Sequence, residues 1–499
     1  MHISSKHLPS TTLIFVLLAL GFATTTNAQT PQATPPPPAQ PRSLQIPKPA
    51  EKTLPNGLRV IVIERSSTPL VSAQLLIKDG GETDPPQLAG LTDLTASLLT
   101  KGTQTQSATQ IAEAIEALGG SLESGARWDA STATVGVMSS KIGSAMEILA
   151  DIVRRPTFKD DEIERLRQQY LDNLTVELGE PGSIARFVAA RVIFGDMPYG
   201  HPLNGTPESL ARIKRDDIVE HHRSSYRPDN AILVIGGDIK AEEAFALAAK
   251  YFGDWPTPRS IRSGEPFGTK PTSNAAKPRV VVVDKPDAGQ AAVIVARVGI
   301  SRRDPDYFRG IVTNSVLTGY SGRLNQEIRI KRGLSYGAGS SLDARRNVGP
   351  FVASSQTKNQ SGAQVADLLI GEVNRLAMAP VPEAELTPRK AVLIGNFARN
   401  LEQVNGLVGQ VASLALQGLN LDEINRFINN VQGVTATDVQ HFAGGRLNAK
   451  DASIIIVGNA KEFLPELEKQ FKDIEVIPIT ELDLNSASLR KGKTGATKK

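Results

Sequence analysis

The sequence predicts an α+β fold: two homologous halves, each a mostly antiparallel sheet with helices packed on one face, joined by a linker into a clamshell. Three observations predict it. In each half, strand-like segments come first, helical segments follow, and a strand and a helix close the half. This order is typical of α+β layers and not of alternating parallel α/β folds. The same order occurs twice, and a proline-containing segment separates the two copies.

Each half opens with two β-branched runs around a polar turn. The first is RVIVIERSSTPLVSAQLLIKDGG, residues 59–81, and the second is RVVVVDKPDAGQAAVIVARVGI, residues 279–300. Val and Ile in short runs bounded by turn residues are typical of strands. We therefore expect a hairpin at the start of each half.

Long segments with helical periodicity follow, such as residues 160–178 and 361–377. Each half then closes with a helix, a buried strand and another helix, over residues 216–252 and 437–471. The closing strands end at Gly236 and Gly458. The repeat of this closing unit indicates an internal duplication.

The two ends of the chain differ from the rest in composition. Lys6, the apolar run LIFVLLALGFA and small residues before Ala28 are typical of a secretory signal peptide. A proline-rich stretch follows. The predicted segments are a signal peptide (1–28), a tether (29–50), the first half (51–255), a linker (256–278), the second half (279–481) and a basic disordered tail (482–499).

Composition excludes several classes of site. The chain has no cysteine, which rules out disulfides, thiolate nucleophiles and cysteine zinc sites. Its formal net charge is +4, but Lys6 and five basic residues within 490–499 account for six positive charges. The remainder is slightly acidic, which argues against a nucleic-acid surface. Past the signal segment, no apolar run is long enough to cross a membrane.

Several motifs occur in a fixed order from residue 45 to about 480. LPNGLRVIVIERSSTPLVSAQLLIKDGGETD precedes a helix ending in KGT, YGHPLNGTPESLARI follows, and the second half contains LTGYSGRLNQEIRIKRGLSYGAGSS. This combination resembles the pitrilysin (insulinase, M16) family of zinc peptidases. Active members carry HxxEH on the helix before KGT, because histidines at i and i+4 can bind one zinc while the carboxylate at i+3 activates its water.

The resemblance implies that this chain lacks the zinc site. The two histidine positions hold Asp93 and Ser97, the base position holds Ala96, and Asn173 stands at the third ligand position. Outside the signal segment the histidines are His201, His221, His222 and His441. His221 and His222 are adjacent and would point about 100° apart on a helix, so ordinary packed or surface positions are favoured for them. His201 lies in the YG-P-GT turn, where a structural role is favoured.

The resemblance also implies which residues of the second half act on substrate. In active members an arginine and a tyrosine seven residues apart face the zinc, bind the substrate backbone and stabilise the oxyanion; these positions match Arg329 and Tyr336. The neighbouring Lys331 and Arg332 are alternatives for the arginine. Gly319 and Gly322 correspond to the glycine-rich segment beside the substrate path. Retention of this region for its turn geometry alone remains the other interpretation.

The expected function is that of a non-catalytic M16 subunit, inactive alone, which pairs with an HxxEH-bearing subunit and supplies Arg329 and Tyr336 in trans for peptide hydrolysis. No cofactor is expected on this chain, because the zinc would belong to the partner. The alternative is a scaffold or peptide-binding protein on the same fold, and an independent zinc endopeptidase is the least favoured. The predicted signal peptide places the protein in the periplasm or outside the cell.

Overall fold

The computed structural model describes residues 45–257 and 277–491. The predicted signal peptide, most of the predicted tether and most of the linker lie outside these residues. The first half contains strands β1–β6: Ala50–Thr53, Arg59–Glu64, Leu70–Ile77, Ser121–Ala126, Ser131–Met138 and Ala231–Gly237. Its helices α1–α8 are Leu91–Leu98, Ala108–Ala117, Ile142–Arg154, Asp160–Gly179, Pro181–Phe194, Pro207–Arg212, Arg215–Ser225 and Ala241–Phe252.

The second half repeats this arrangement. Its strands β7–β12 are Val280–Asp284, Ala291–Val298, Ala338–Leu342, Pro350–Thr357, Ser453–Gly458 and Ile474–Pro478. Its helices α9–α16 are Tyr307–Leu317, Arg323–Asn325, Gly362–Met378, Glu383–Glu402, Val404–Leu416, Glu423–Gly433, Ala436–Arg446 and Leu464–Gln470.

The two sheets share one topology, which confirms the predicted α+β fold of two homologous halves. The strand orders are β1-β2-β6-β3-β5-β4 and β12-β7-β11-β8-β10-β9. Most neighbours are antiparallel; the parallel pairs are β2 with β6, and β7 with both β11 and β12. Only the edge strand next to β2 or β7 differs. In the first half it is β1, the first strand of that half, and in the second half it is β12, the last strand.

The predicted hairpins at the start of each half are wrong. The closing strand β6 inserts between β2 and β3, pairing parallel with β2 and antiparallel with β3. In the second half β11 separates β7 from β8 in the same way. The polar turns therefore cross over a central strand that lies more than 150 residues later in the chain.

Along the central strands both faces of each sheet are buried, which explains the unbroken apolar runs there. In β2, Val60 and Val62 face the core formed with the helices of the first half. The alternate residues Ile61 and Ile63 face the opposite side and contact a helix of the second half. Alternation of side chains across a strand requires apolar residues at every position when both faces are covered.

The helix that covers the second face of each sheet comes from the other half. Helix α5 packs on β8 and β11 of the second sheet, where Val188 and Val192 are fully buried. Helix α13 packs on β3 and β6 of the first sheet through Leu407 and Val411. Separating the halves would therefore expose the apolar faces of both helices, so each half depends on the other for its core.

The predicted tether and tail are folded in part. Ile46 is buried against the second half, and its N–H donates to Asn425 Oδ1 at 2.8 Å. Residues 482–491 also pack: Leu484 and Leu489 join the core beside α5. The disordered tail predicted over 482–499 is therefore wrong for 482–491, because two leucines that precede the basic residues supply an apolar contact. Residues 492–499 lie outside the described residues.

Candidate functional site

A buried carboxylate positions helix α1, on which the predicted metal-ligand positions lie. Asp84 accepts hydrogen bonds from the N–H groups of Gly90 and Thr92 at 2.8 and 2.9 Å, and from the Thr92 hydroxyl at 2.6 Å. These bonds satisfy donors that the first turn of a helix leaves free. Burial raises the pKa of Asp84 to about 7, and the three hydrogen bonds oppose this shift.

The helix surface where active relatives bind zinc is occupied by a hydrogen-bonded triad of Asp93, Ser97 and Tyr170. Tyr170 on α4 donates from its hydroxyl to Asp93 Oδ2 at 2.9 Å, and its oxygen lies 2.9 Å from Ser97 Oγ. The N–H of Ala126 donates to the other Asp93 oxygen at 3.1 Å. Asp93 and Ser97 share one helix face because they are four residues apart. Their polar atoms are thus committed within the chain.

Burial governs the ionisation of this triad. It raises the pKa of Asp93, while the bonds from Ala126 and Tyr170 oppose the increase. Burial, followed by the nearby charge of Asp93, raises the pKa of Tyr170 well above its usual value, so the phenol keeps its proton as a donor. Asp93 is therefore a half-buried hydrogen-bond acceptor.

The triad does not fit a zinc ion. Protein zinc sites need several histidine, cysteine or carboxylate ligands around one point. Ala96, at the base position, is a fully buried methyl group. Asn173 is exposed, and the structure places Tyr170, three residues earlier on α4, against Asp93 and Ser97 instead. Across residues 45–257 and 277–491, no three His, Asp or Glu side chains come together as a metal site would require.

The histidines of the first half belong to separate packed regions. His222 Nε2 lies 2.9 Å from the carbonyl of Val153, and its ring stacks on Tyr226. Burial lowers the pKa of both His221 and His222 to about 4. His201 is buried elsewhere, with its ring against Trp128 and Nδ1 3.0 Å from the carbonyl of Pro202. These surroundings agree with the structural roles favoured from the sequence.

In contrast, the Arg329 segment is partly exposed: Arg329 itself is half-buried, and a tyrosine on either side of it is open to solvent. Helix α10 continues into a π-helical turn, Gln326–Lys331, that carries Arg329. The Arg329 guanidinium lies 5.5 Å from the ring centroid of Tyr320, and that tyrosine is 72% exposed. Tyr336 follows in the next loop and is 88% exposed. Within the described part of the chain, no hydrogen bond or cation–π contact joins Arg329 and Tyr336.

Ion pairing distinguishes Arg329 from its neighbours. Lys331 Nζ and Arg332 Nη2 lie 2.9 and 2.8 Å from the carboxylate of Glu327, which is buried. Arg329 has no carboxylate partner within 4.0 Å among the described residues. Of the three cations, Arg329 therefore has the charge that is most available to a ligand.

The two glycines of the preceding loop are required by the turn itself. Gly319 has φ +90°, a conformation that costs residues with a side chain free energy. A Cβ on Gly322 would lie 2.3 Å from the carbonyl oxygen of Thr318. Helix α10 begins directly after Gly322, so the glycines fix the direction of the segment that carries Arg329.

A cavity of about 720 Å³ lies between α5 and the inner face of the second sheet, and Tyr336 is part of its wall. Residues of both halves line it, among them Trp128, Phe187 and His201 from the first half. Asp93, Ser97 and Arg329 do not line it. The structure thus places Tyr336 at the wall of a cavity that opens to solvent, and the degenerate metal-site positions lie in a different region.

A cluster of buried polar and ionisable side chains around Arg346 joins the halves, and sequence reasoning missed it. Arg346 Nη1 lies 3.1 Å from Glu82 Oε1, and the Arg346 N–H donates to Asp129 Oδ2 at 2.7 Å. The Tyr199 hydroxyl donates to Asp129 Oδ1 at 2.5 Å. Burial raises the pKa of Glu82 to about 9, and the charge of Arg346 opposes this. No local pattern marks these residues, since Glu82 and Arg346 are 264 positions apart. Likewise, no local pattern marks Tyr170, which lies 77 positions from Asp93.

Within the described residues, no helix combines the length and apolar character needed to cross a membrane.

Comparisons with known proteins agree with the fold described above. Residues 59–181 match the profile described as Insulinase (Peptidase family M16), and residues 212–393 match the profile described as Peptidase M16 inactive domain. Together these matches span more than half of the chain.

Individual relatives extend the similarity. An uncharacterized zinc protease of Mycobacterium leprae is 25% identical over 81% of this chain and 90% of its own length. A protein of Helicobacter pylori named non-peptidase homolog YmxG is 23% identical over 81% of this chain and 92% of its length. The crystal structure of a peptidase M16 inactive domain from Pseudomonas fluorescens superposes with a TM-score of 0.75 and 25% identity, covering 82% of this chain and 98% of that one.

Proposed function

We propose, from the premise that this chain belongs to peptidase family M16, that it is the non-catalytic subunit of a two-chain peptidase. Its partner is a second M16 chain that carries HxxEH and the zinc. The observation behind the proposal is the contrast between the two halves: the zinc-ligand positions are filled by the Asp93 triad, whereas Tyr336 remains exposed.

In the assembled enzyme, Arg329 and Tyr336 bind the substrate backbone and stabilise the transition state. A guanidinium and a phenol both donate hydrogen bonds to the oxyanion that forms when water attacks the peptide carbonyl. The guanidinium of Arg329 has no carboxylate partner among the described residues, so its N–H donors are available for this role. Tyr336 donates from a hydroxyl at the wall of the cavity.

The site of action in this proposal is outside the cytoplasm. The lysine, apolar run and small residues at the N-terminus support export. The partner would then be an exported chain as well, and both would meet peptides in the periplasm or the medium.

The first experiment is purification of the tagged chain from its native cells, with mass spectrometry of whatever is bound in stoichiometric amounts. The proposal expects a second M16 chain with an intact HxxEH. Recovery of this chain alone, or within an unrelated complex, would contradict it and favour the scaffold or peptide-binding alternative.

The second experiment measures peptide hydrolysis by the assembled pair. Loss of one oxyanion donor typically lowers kcat by about 10²-fold, and we expect a decrease of that order for Tyr336→Phe with assembly unchanged. The control is Tyr251→Phe, which removes a hydroxyl from α8, away from the cavity. Equal kinetics for both variants would exclude the proposed role of Tyr336.

A further inference from the structure

The cavity between α5 and the second sheet combines an apolar floor with aromatic walls. The floor consists of inward-facing side chains from α5, β8 and β10: Ala189, Ile193, Ile294 and Val352. Trp128, Phe187 and Tyr336 supply aromatic surface. A volume of about 720 Å³ is within the range of sites that enclose most of a small ligand. The cavity therefore fits a short peptide segment and not a folded domain.

The ionisable groups of the cavity leave one positive charge without a partner. Arg345 pairs with Asp343 at 2.8 Å and is held between Trp128 and Tyr199, with its guanidinium 4.6 Å from each ring centroid. Among the described residues that line the cavity, Asp343 is the only carboxylate. His201 is buried, which lowers its pKa and keeps it neutral at physiological pH.

Arg186 is the cation that remains. It lies on α5 at the cavity wall, and Nη2 donates to Ser183 Oγ at 2.8 Å. In the described part of the chain no carboxylate lies within 4.0 Å of its guanidinium. A guanidinium presents several donors in one plane and binds carboxylates in a bidentate manner. Arg186 is thus suited to a carboxylate ligand and has none within the described residues.

Neutral polar side chains complete the wall. Gln290, Gln356, Asn204 and Ser354 provide donors and acceptors around the apolar floor. Such groups can satisfy the N–H and C=O groups of a bound backbone, which would otherwise lose hydrogen bonds to water.

We infer that this cavity binds a carboxylate-bearing peptide segment, with the carboxylate at Arg186 and a neighbouring apolar side chain against Ile193 and Ile294. The inference rests on the proposed function for the peptide nature of the ligand. It adds a preference for acidic or C-terminal residues at a position beside Tyr336. The carboxylate has two possible sources, the free C-terminus of the peptide or an acidic side chain.

Fluorescence anisotropy with the purified chain alone tests the inference and separates the sources. The probes are four labelled apolar peptides of one length: one with a free C-terminus, one amidated, one amidated with an internal Glu, and one amidated with Gln at that position. We expect either the free C-terminus or the internal Glu to bind roughly tenfold more tightly than its neutral counterpart, because an ion-pair hydrogen bond contributes about that much.

Arg186→Gln should remove this preference, and Arg399→Gln is the matched control. Like Arg186, Arg399 is exposed and donates to a polar side chain three residues earlier on its helix, in this case Asn396 on α12. Unlike Arg186, it does not line the cavity. Thermal unfolding of both variants checks that the fold is retained, since both side chains are exposed.

Equal dissociation constants for charged and neutral peptides, or equal effects of the two arginine variants, would overturn the inference. Because binding is measured without a peptidase partner, this outcome is separate from the kinetic test of Tyr336→Phe. If the wild-type chain shows no preference for carboxylate-bearing peptides, but Tyr336→Phe lowers hydrolysis as expected, the cavity assignment is refuted. The proposed subunit function would then remain in place.

Discussion

The α1 region of the first half and the Arg329 segment of the second half both carry predicted site residues, but they differ in how their polar groups are used. Asp93, Ser97 and Tyr170 bond to one another and to the backbone. Tyr336 is 88% exposed, and Arg329 lacks a carboxylate partner among the described residues. Polar groups satisfied internally contribute to stability, whereas groups left free are available for a ligand. In the first region the polar groups therefore stabilise the fold, whereas in the second they remain accessible.

Among single substitutions, the largest expected effect comes from placing a glutamate at Ala96 on α1, where active family members carry the general base. Ala96→Glu would place a carboxylate at a fully buried position next to Asp93 and Tyr170. An unpaired buried charge costs about 3–5 kcal/mol, so we expect a loss of that size in the free energy of unfolding by urea. Ala112→Glu, on an exposed position of α2, is the control and should change stability by less than about 0.5 kcal/mol. Similar losses for both variants would show that the α1 region is not packed as described.

A smaller effect is expected from removing the hydroxyl that completes the triad. Tyr170→Phe leaves Asp93 and Ser97 without their shared partner, which should cost about 1–3 kcal/mol in the free energy of unfolding. Tyr336→Phe removes an exposed hydroxyl and should leave chemical denaturation nearly unchanged. The opposite ranking of these two variants would reverse the comparison between the regions.

The cluster between the halves predicts a pH dependence. Glu82 has an ordinary pKa of 4.5 in the unfolded chain and about 9 in the folded one, because burial disfavours its charge. Between these values folding takes up a proton, so the contribution of Glu82 to stability decreases as pH rises. Relative to Glu82→Gln, the wild-type chain should lose up to about 1.4 kcal/mol per pH unit from pH 5 to 9. Denaturation curves of both proteins across this range measure it; parallel curves would contradict the shift.

The smallest expected effect concerns the loop before Arg329. Gly319→Ala forces a side chain into φ +90° and should reduce stability by about 1 kcal/mol. Gly371→Ala, on α11 where an added Cβ would meet open space, should be neutral or slightly stabilising. A fall in melting temperature for Gly371→Ala alone would show that loop strain is not the determining factor.

Much of the fold could be predicted because periodicity and composition report local structure. The helices containing residues 160–178 and 361–377 are present as α4 and α11, and the closing strands end near Gly236 and Gly458 as expected. The candidate site could be located only through the spacing of family motifs. Those motifs place Asp93, Ala96 and Ser97 on one helix, and the structure does so too.

Other features could not be predicted because they depend on contacts between distant segments. The tail leucines Leu484 and Leu489 gave no strong signal because they are isolated among polar and small residues, yet they complete the core beside α5. Tyr170 lies 77 positions from Asp93, and no alternation or spacing links the two. The family motif assigned the third zinc-ligand position to Asn173, which is exposed in the structure. The rotation of α4 relative to α1 decides which side chain reaches α1, and that side chain is Tyr170.

Residue identity and local pattern were enough to establish the duplication and the α+β class. They also showed that the histidines and glutamate of HxxEH are absent from α1. Only the tertiary structure decided the insertion of β6 between β2 and β3, the exchange of α5 and α13 between the halves, and the triad in place of a metal site. A pattern of apolar and polar residues shows which face of an element is buried. It does not show which distant element covers that face, since burial stabilises any partner of suitable shape.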